Sequence, residues 1–177
     1  VVLLAIWQCG AAFLPISVRE SKERLAEGAK LCSFVINNTV LGILLEKAAE
    51  YPDDMQIDAE PNELAYLIFT SGTTGVPKAA QISQRSLAVR LQWMLDTYGC
   101  SERVIQKTPM TFDVSIWELF LPLISGNQLY LLSPDGEKNP EEIVQSLQGE
   151  KTVTIHFVPS MLEIFIQYCK TSACCFT

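Results

Sequence analysis

The sequence predicts an α/β fold with three layers, in which a mostly parallel sheet carries helices on both faces. Short apolar and β-branched runs alternate along the chain with longer segments whose apolar residues recur every three to four positions. Strands separated by segments of that length need crossover connections, which make them parallel and cover both faces of the sheet. Hydrophobic residues form 49% of the 177 positions and charged residues 19%, so the chain can build a packed core.

Each predicted element rests on a local pattern. Glycines at 99 and 126 mark helix ends, and Asn139 followed by Pro140 and two acidic residues marks a helix start. Apolar or β-branched runs predict strands at 11–16, 64–70, 79–82, 103–108, 128–132 and 152–157, with a further β-branched run at 31–36. Helical spacing predicts helices at 1–9, 39–51, 83–98, 114–124 and 159–169, another from Asn139, and a Ser-capped charged turn at 21–26.

Charge and hydropathy exclude two classes of partner. Twenty acidic and 13 basic residues give a net charge of −7, whereas binding to a phosphate backbone needs clustered Lys and Arg, so nucleic acid is not expected. The most apolar run spans 16 residues at the start of the chain and contains Gln8, Gly10 and Pro15, so we expect a buried helix and strand there and no membrane partner. Much of the negative charge falls in residues 46–63, which read as a solvated loop.

Cysteine and histidine usage argues against a metal centre. The six cysteines include no C-x-x-C pair, and the chain has one His, so no metal ligand set is predicted. Free or buried thiols are typical of a reducing compartment, which predicts a cytoplasmic protein. The chain begins with Val1 inside an apolar run and ends without a capping signal, so both ends are interpreted as breaks in a longer protein.

Residues 70–78, TSGTTGVPK, concentrate groups that suit a polyphosphate. Two glycines, four hydroxyl side chains and one Lys follow a predicted strand directly. Glycines let backbone N–H groups approach an anion, hydroxyls donate to it and the Lys adds a positive charge. A flexible linker of the same composition is the alternative. The segment does not fit the Walker A pattern, and no G-x-G-x-x-G occurs in the chain.

The run LAYLIFTSGTTGVPKA, residues 64–79, closely resembles the phosphate-loop signature of the adenylate-forming (AMP-binding) enzyme superfamily. Three further blocks are similar to those of nonribosomal peptide synthetase adenylation domains: AIWQCGAAFLPIS near the start, QKTPMTFDVSIWELFLPLISG at 106–126 and TIHFVPSML at 154–162. The chain departs from the family at Ala79, where Gly is usual. The resemblance implies the Rossmann-like part of the family's large domain, and it covers essentially the whole chain.

The resemblance also implies an activity. An amino acid is activated with ATP and Mg²⁺ as an aminoacyl-AMP and then passed to a phosphopantetheine carrier domain, beside a condensation domain of the same synthetase. It places the phosphates on Thr70, Ser71, Gly72, Thr73, Thr74, Gly75 and Lys78. The family's catalytic Lys belongs to a small C-terminal domain, and no segment of the chain matches that domain or the family's adenine-binding part. Residues 1–177 are therefore expected to be a partial N-terminal large domain.

A second group of residues, at 112–117 and 156, corresponds by resemblance to the amino-acid pocket: Phe112, Asp113, Val114, Trp117 and His156. From the residues alone, the N-cap is the favoured interpretation of Asp113, and the core is the favoured place for Trp117 and His156. In the family, an Asp at this place pairs with the substrate's α-ammonium. The combination Asp, Val, Trp and His resembles the start of the selectivity pattern of serine-activating domains, which predicts L-serine as the substrate. An acyl-CoA ligase of the same superfamily and a noncatalytic fragment that acts as a binding module remain the alternatives.

Overall fold

The computed structural model describes residues 1–50, 59–70, 78–99 and 101–171. The chain divides into two compact units, Val1–Val89 and Arg90–Thr177. Helix α4, which carries buried Leu87, Leu91 and Met94 on one face, runs across the boundary. Spacing of three or four residues places these side chains on one stripe, as the sequence predicts.

The first unit is built from helices and one antiparallel strand pair. Its elements are α1 Val2–Gln8, α2 Lys22–Leu31, α3 Asn38–Lys47, a 3₁₀ turn Ala48–Glu50, β1 Leu64–Thr70, β2 Lys78–Ser83 and the start of α4 Gln84–Tyr98. Ser21 and Asn37 cap α2 and α3 through side-chain oxygens that accept backbone N–H groups. Phe13 is buried and bridges to Tyr66 of β1, and Trp7 Nε1 donates to Ala65 O at 2.7 Å, so the chain start is tied to β1.

The second unit is a parallel α/β arrangement. It contains β3 Arg103–Gln106, α5 Val114–Ser125, β4 Gln128–Leu131, a 3₁₀ turn Gly136–Lys138, α6 Pro140–Ser146, β5 Val153–Thr154 and α7 Pro159–Thr171. The strand order is β4-β3-β5 with both pairs parallel, which confirms the predicted α/β class. Helix α5 packs against β3 and β4, and buried side chains of β3, α5 and α6 form the core: Val104, Ile105, Ile116, Phe120, Leu121 and Ile143.

One buried cation joins the elements of the second unit. Arg103 is 9% exposed, and its guanidinium donates to Ser146 O, Gln148 O and Glu150 Oε1 at 2.8–2.9 Å and to Gln128 Oε1. A buried charge is tolerated only when its donors are satisfied, and here the partners lie on β4, at the end of α6 and in the loop before β5. Arg103 therefore holds the three parallel strands and α6 in place.

Several predicted elements differ from the structure. The predicted strand at 11–16 is reduced to the single bridge at Phe13, and residues 31–36 contain the end of α2 and no strand. The predicted strand at 152–157 is paired only at Val153–Thr154. Strands β1 and β2 pair antiparallel, because the seven residues between them are too few for the crossover that parallel neighbours need.

Candidate functional site

One group of candidate site residues, in the first unit, lies where β1 ends and β2 begins. Thr70 and Lys78 face each other in the antiparallel register, and Thr70 Oγ1 donates to Lys78 O at 3.2 Å. Both residues are exposed, and they lie at the end of the strand pair that residues 71–77 connect. The other predicted phosphate ligands, Ser71, Gly72, Thr73, Thr74 and Gly75, lie outside the described residues.

A separate group of candidate site residues, in the second unit, begins at the N-terminus of α5. Asp113 is its N-cap residue, exposed, and Asp113 Oδ1 accepts Val114 N–H at 3.0 Å. This bond reaches only the adjacent N–H, whereas a typical N-cap bonds the N–H two or three residues on. Within the described ranges, Val114 N–H is the one donor to the Asp113 carboxylate. The second carboxylate oxygen can therefore accept from a cation. The positive end of the helix stabilises the negative charge of Asp113 itself.

Trp117 and His156 come together in the second unit. Their ring centroids lie 6.1 Å apart with the ring planes at 85°, an edge-to-face arrangement. Trp117 is 8% exposed, and His156 is half-buried in the segment that follows β5. Trp117 stands one helical turn after Asp113, as the spacing predicts. The two rings join α5 to the carboxyl end of β5, the edge at which open parallel sheets bind ligands.

Phe112 and Val114 occupy the two positions beside Asp113. Phe112 is 60% exposed and Val114 is half-buried, so neither belongs to the fully buried core. The backbone around them is fixed by Ser115, a buried residue whose hydroxyl donates to Phe112 O at 2.6 Å. Phe112, Asp113 and Val114 therefore lie at a well-defined turn with their side chains accessible.

Glu118 is a functional candidate that sequence reasoning missed. It is 0% exposed, and its carboxylate accepts three hydrogen bonds, from Lys107 N–H at 3.2 Å, Thr108 N–H at 2.9 Å and the Thr108 hydroxyl at 2.7 Å. The available signal was one acidic residue inside an otherwise apolar stretch, Ile116 to Pro122. A carboxylate on the core side of a helix is costly unless it is bonded, so it marks a specific partner.

Lys107 lies beside the same carboxylate. Burial lowers the pKa of the Lys107 ammonium, and the negative charges of Glu118 and Glu137 oppose that shift. Its Nζ lies 5.1 Å from the centroid of the Phe157 ring, which places a cation over an aromatic face. The Lys107 ammonium therefore lies over an aromatic ring and in the electrostatic field of two carboxylates.

Metal ligands and membrane spans are both lacking in the part of the chain that the structure describes. No group of three or more His, Cys, Asp or Glu side chains that could hold a metal ion occurs among those residues. None of the described helices is long and apolar enough to cross a membrane.

Known proteins are similar to this chain in sequence and in fold. A vanchrobactin synthetase, VabF of Vibrio anguillarum, is 38% identical over 93% of the chain, and a subunit of mycosubtilin synthase from Bacillus subtilis is 35% identical over 93%. The solved adenylation domain AlmE of Vibrio cholerae, described in complex with glycyl-adenosine-5′-phosphate, superposes with a TM-score of 0.71 at 23% identity over 94% of the chain. The chain spans 6% and 7% of the two synthetases and 39% of the AlmE chain.

These likenesses define the class of protein. The fold is that of adenylation domains of the adenylate-forming type. The family model for AMP-binding enzymes matches residues 1–174, so the chain belongs to the AMP-binding enzyme family.

Proposed function

We propose that residues 1–177 form the N-terminal part of the large domain of an adenylation domain, which activates an amino acid as an aminoacyl-AMP for nonribosomal peptide synthesis. The observation that carries the proposal is Asp113, whose exposed carboxylate begins α5 with one oxygen unpaired among the described residues. A substrate ammonium loses hydration on binding and needs such a counter-charge. A fatty acid has no ammonium and would make no use of it.

The proposed reaction joins the amino-acid carboxylate to the α-phosphorus of ATP. An oxygen–phosphorus bond forms, the bond between the α-phosphorus and the bridging oxygen to the β-phosphate breaks, and pyrophosphate leaves with the electron pair. Alignment and charge neutralisation dominate such steps. Lys78, through its ammonium, and Thr70, whose hydroxyl would exchange its bond to Lys78 O for one to a phosphate oxygen, are proposed to bind the phosphates together with Ser71, Gly72, Thr73, Thr74 and Gly75.

L-serine is proposed as the amino acid, from the pair formed by Trp117 and His156. The edge-to-face rings place an imidazole, which can donate or accept a hydrogen bond, beside a large apolar side chain. A site of that kind suits a small side chain with one hydroxyl. Phe112 and Val114 are proposed to line the same pocket as neighbours of Asp113.

Later steps of the proposal concern parts of the parent protein. The aminoacyl group would pass to the phosphopantetheine thiol of a carrier domain, and a condensation domain of the same synthetase would use the product. Relatives that are far longer than this chain support a multidomain setting. We also propose that the protein is cytoplasmic, as its cysteine usage suggests.

The test is amino-acid-dependent exchange of pyrophosphate into ATP by the complete adenylation domain that contains these residues. A panel of the twenty amino acids should give the highest rate with L-serine. Strong exchange with a bulky apolar amino acid and none with serine would reject the substrate assignment alone. No exchange with any amino acid, together with activity on a simple carboxylic acid, would favour the acyl-CoA ligase alternative.

A further inference from the structure

The Glu118 carboxylate bonds to one short segment of chain. In the described part of the structure its three donors belong to Lys107 and Thr108, the first two residues after β3. Glu118 itself lies in the second turn of α5, next to Trp117 in the chain. The carboxylate therefore ties the middle of α5 to the start of the loop that leads from β3 to Asp113.

The same loop is fixed at its other end. There the Ser115 hydroxyl donates to Phe112 O at 2.6 Å. At the start of the loop, Gln106 Nε2 also donates to Thr108 O at 2.6 Å. Residues 107–113 are thus bonded to α5 at both ends, by Glu118 at the start and by Ser115 at the finish. Because Asp113 ends this loop, its position relative to α5 depends on both bonds.

The chemistry of the bond favours a geometric role. Burying a carboxylate without hydrogen-bond donors carries a large desolvation free energy. Glu118 is stable in its buried position because the loop supplies the donors. Hydrogen bonds to an ionised acceptor are stronger and more directional than those between neutral groups. An apolar residue of similar size would fill the same volume without fixing the loop.

We propose that Glu118 is a positioning residue of the amino-acid site, which holds the loop 107–113 so that the Asp113 carboxylate keeps its place relative to the Trp117 and His156 rings. This inference rests on the proposed function, since it concerns the site proposed to bind the substrate ammonium. Glu118 acts through the loop and not on the substrate.

Glu118→Gln and Glu118→Leu separate geometry from charge and from packing. The Gln carbonyl oxygen can accept both backbone N–H groups, and its NH₂ can donate to the Thr108 hydroxyl, which then acts as acceptor. Glu118→Leu keeps most of the volume and leaves both N–H groups without an acceptor. Thr108→Val removes one bond from outside α5 and guards against a folding failure of the Leu variant.

The experiment measures KM for serine and for ATP by pyrophosphate exchange in the complete adenylation domain. We expect Glu118→Leu to raise the serine KM about tenfold or more and Thr108→Val to raise it about threefold, with the ATP KM within about twofold of the unsubstituted value. Glu118→Gln should restore the serine KM to within about threefold. Glu163→Gln, at an exposed position of α7, is the control and should change neither constant.

The outcomes separate the two claims. Unsubstituted protein without amino-acid-dependent exchange rejects the proposed function, and the positioning role with it. Exchange by the unsubstituted protein, with an unchanged serine KM in both Glu118→Leu and Thr108→Val, rejects the positioning role alone. Serine and ATP KM values that rise together in Thr108→Val, in step with a lower melting temperature, would also overturn it, because they indicate a purely structural bond.

Discussion

Replacing Asp113 by Asn tests the charge of the proposed ammonium partner without disturbing the helix that carries it. Asp113 Oδ1 accepts Val114 N–H at 3.0 Å, and an Asn carbonyl oxygen can accept the same bond. The start of α5 should therefore be kept, since Asn is as good as Asp at a helix N-terminus. What Asn removes is the negative charge.

The magnitude follows from the exposure and bonding of the carboxylate. Asp113 is exposed and has one donor among the described residues, so its second carboxylate oxygen is open to a hydrogen bond from the substrate ammonium. A hydrogen bond to a charged group contributes about 1.5–3 kcal/mol, which corresponds to a fall of about 10-fold to 150-fold in kcat/KM for the amino acid. ATP makes no use of this charge, so its KM should stay within about twofold.

Pyrophosphate exchange at varied amino-acid concentration measures the effect, with Asp96→Asn as the matched control. Asp96 is exposed on α4 and accepts from Gln92 Nε2, a bond that Asn also accepts, so this variant should behave like the unsubstituted protein. If Asp113→Asn kept kcat/KM within twofold of the unsubstituted value, the carboxylate would have no role in ammonium binding. Asp113 would then be a helix-capping residue only.

Three further variants probe the phosphate site, the second unit and the substrate assignment. Lys78→Met should raise the ATP KM about tenfold in exchange assays and leave the serine KM unchanged, because it removes a charge from the proposed phosphate site. Arg103→Met should lower the free energy of unfolding in urea by about 3 kcal/mol, because the buried carbonyls and Glu150 lose their donor, whereas exposed Arg85→Met should change it by less than about 0.5 kcal/mol. His156→Leu should reduce exchange with serine more than with alanine, since only serine has a hydroxyl to bond; equal losses would count against the proposed pocket.

Local patterns predicted the elements whose signals lie within one segment. β1 was predicted at 64–70 and is observed at Leu64–Thr70, and α5 ends where Gly126 adopts a φ of +71°, a conformation that favours glycine. Predictions failed where a strand needs a partner beyond its own sequence. Residues 31–36 include the β-branched Val35 and Ile36, yet Phe34 and Val35 are exposed at 63% and 55% and pair with no described strand.

The sequence nominates residues of the candidate site but does not show which contacts hold them. Motif resemblance gave Asp113, Trp117 and His156, and the structure brings the two rings together. Glu118 was missed because its role depends on the N–H groups of Lys107 and Thr108, eleven and ten positions earlier in the chain. A helical pattern shows which face a residue occupies but does not show which loop crosses that face.

The spacing of the phosphate motif follows from strand pairing. Thr70 and Lys78 are directly opposite in an antiparallel ladder, and opposite residues project from the same face of the sheet. The side chains of Thr70 and Lys78 therefore project from the same face of the strand pair. The two residues are the first and the last of the nine-residue segment 70–78. A shift of one residue in the register would send the Lys78 side chain to the other face, because side chains alternate along a strand. The strand pair therefore places the Thr70 and Lys78 side chains on one face of the sheet, at the two ends of the segment proposed to bind the phosphates.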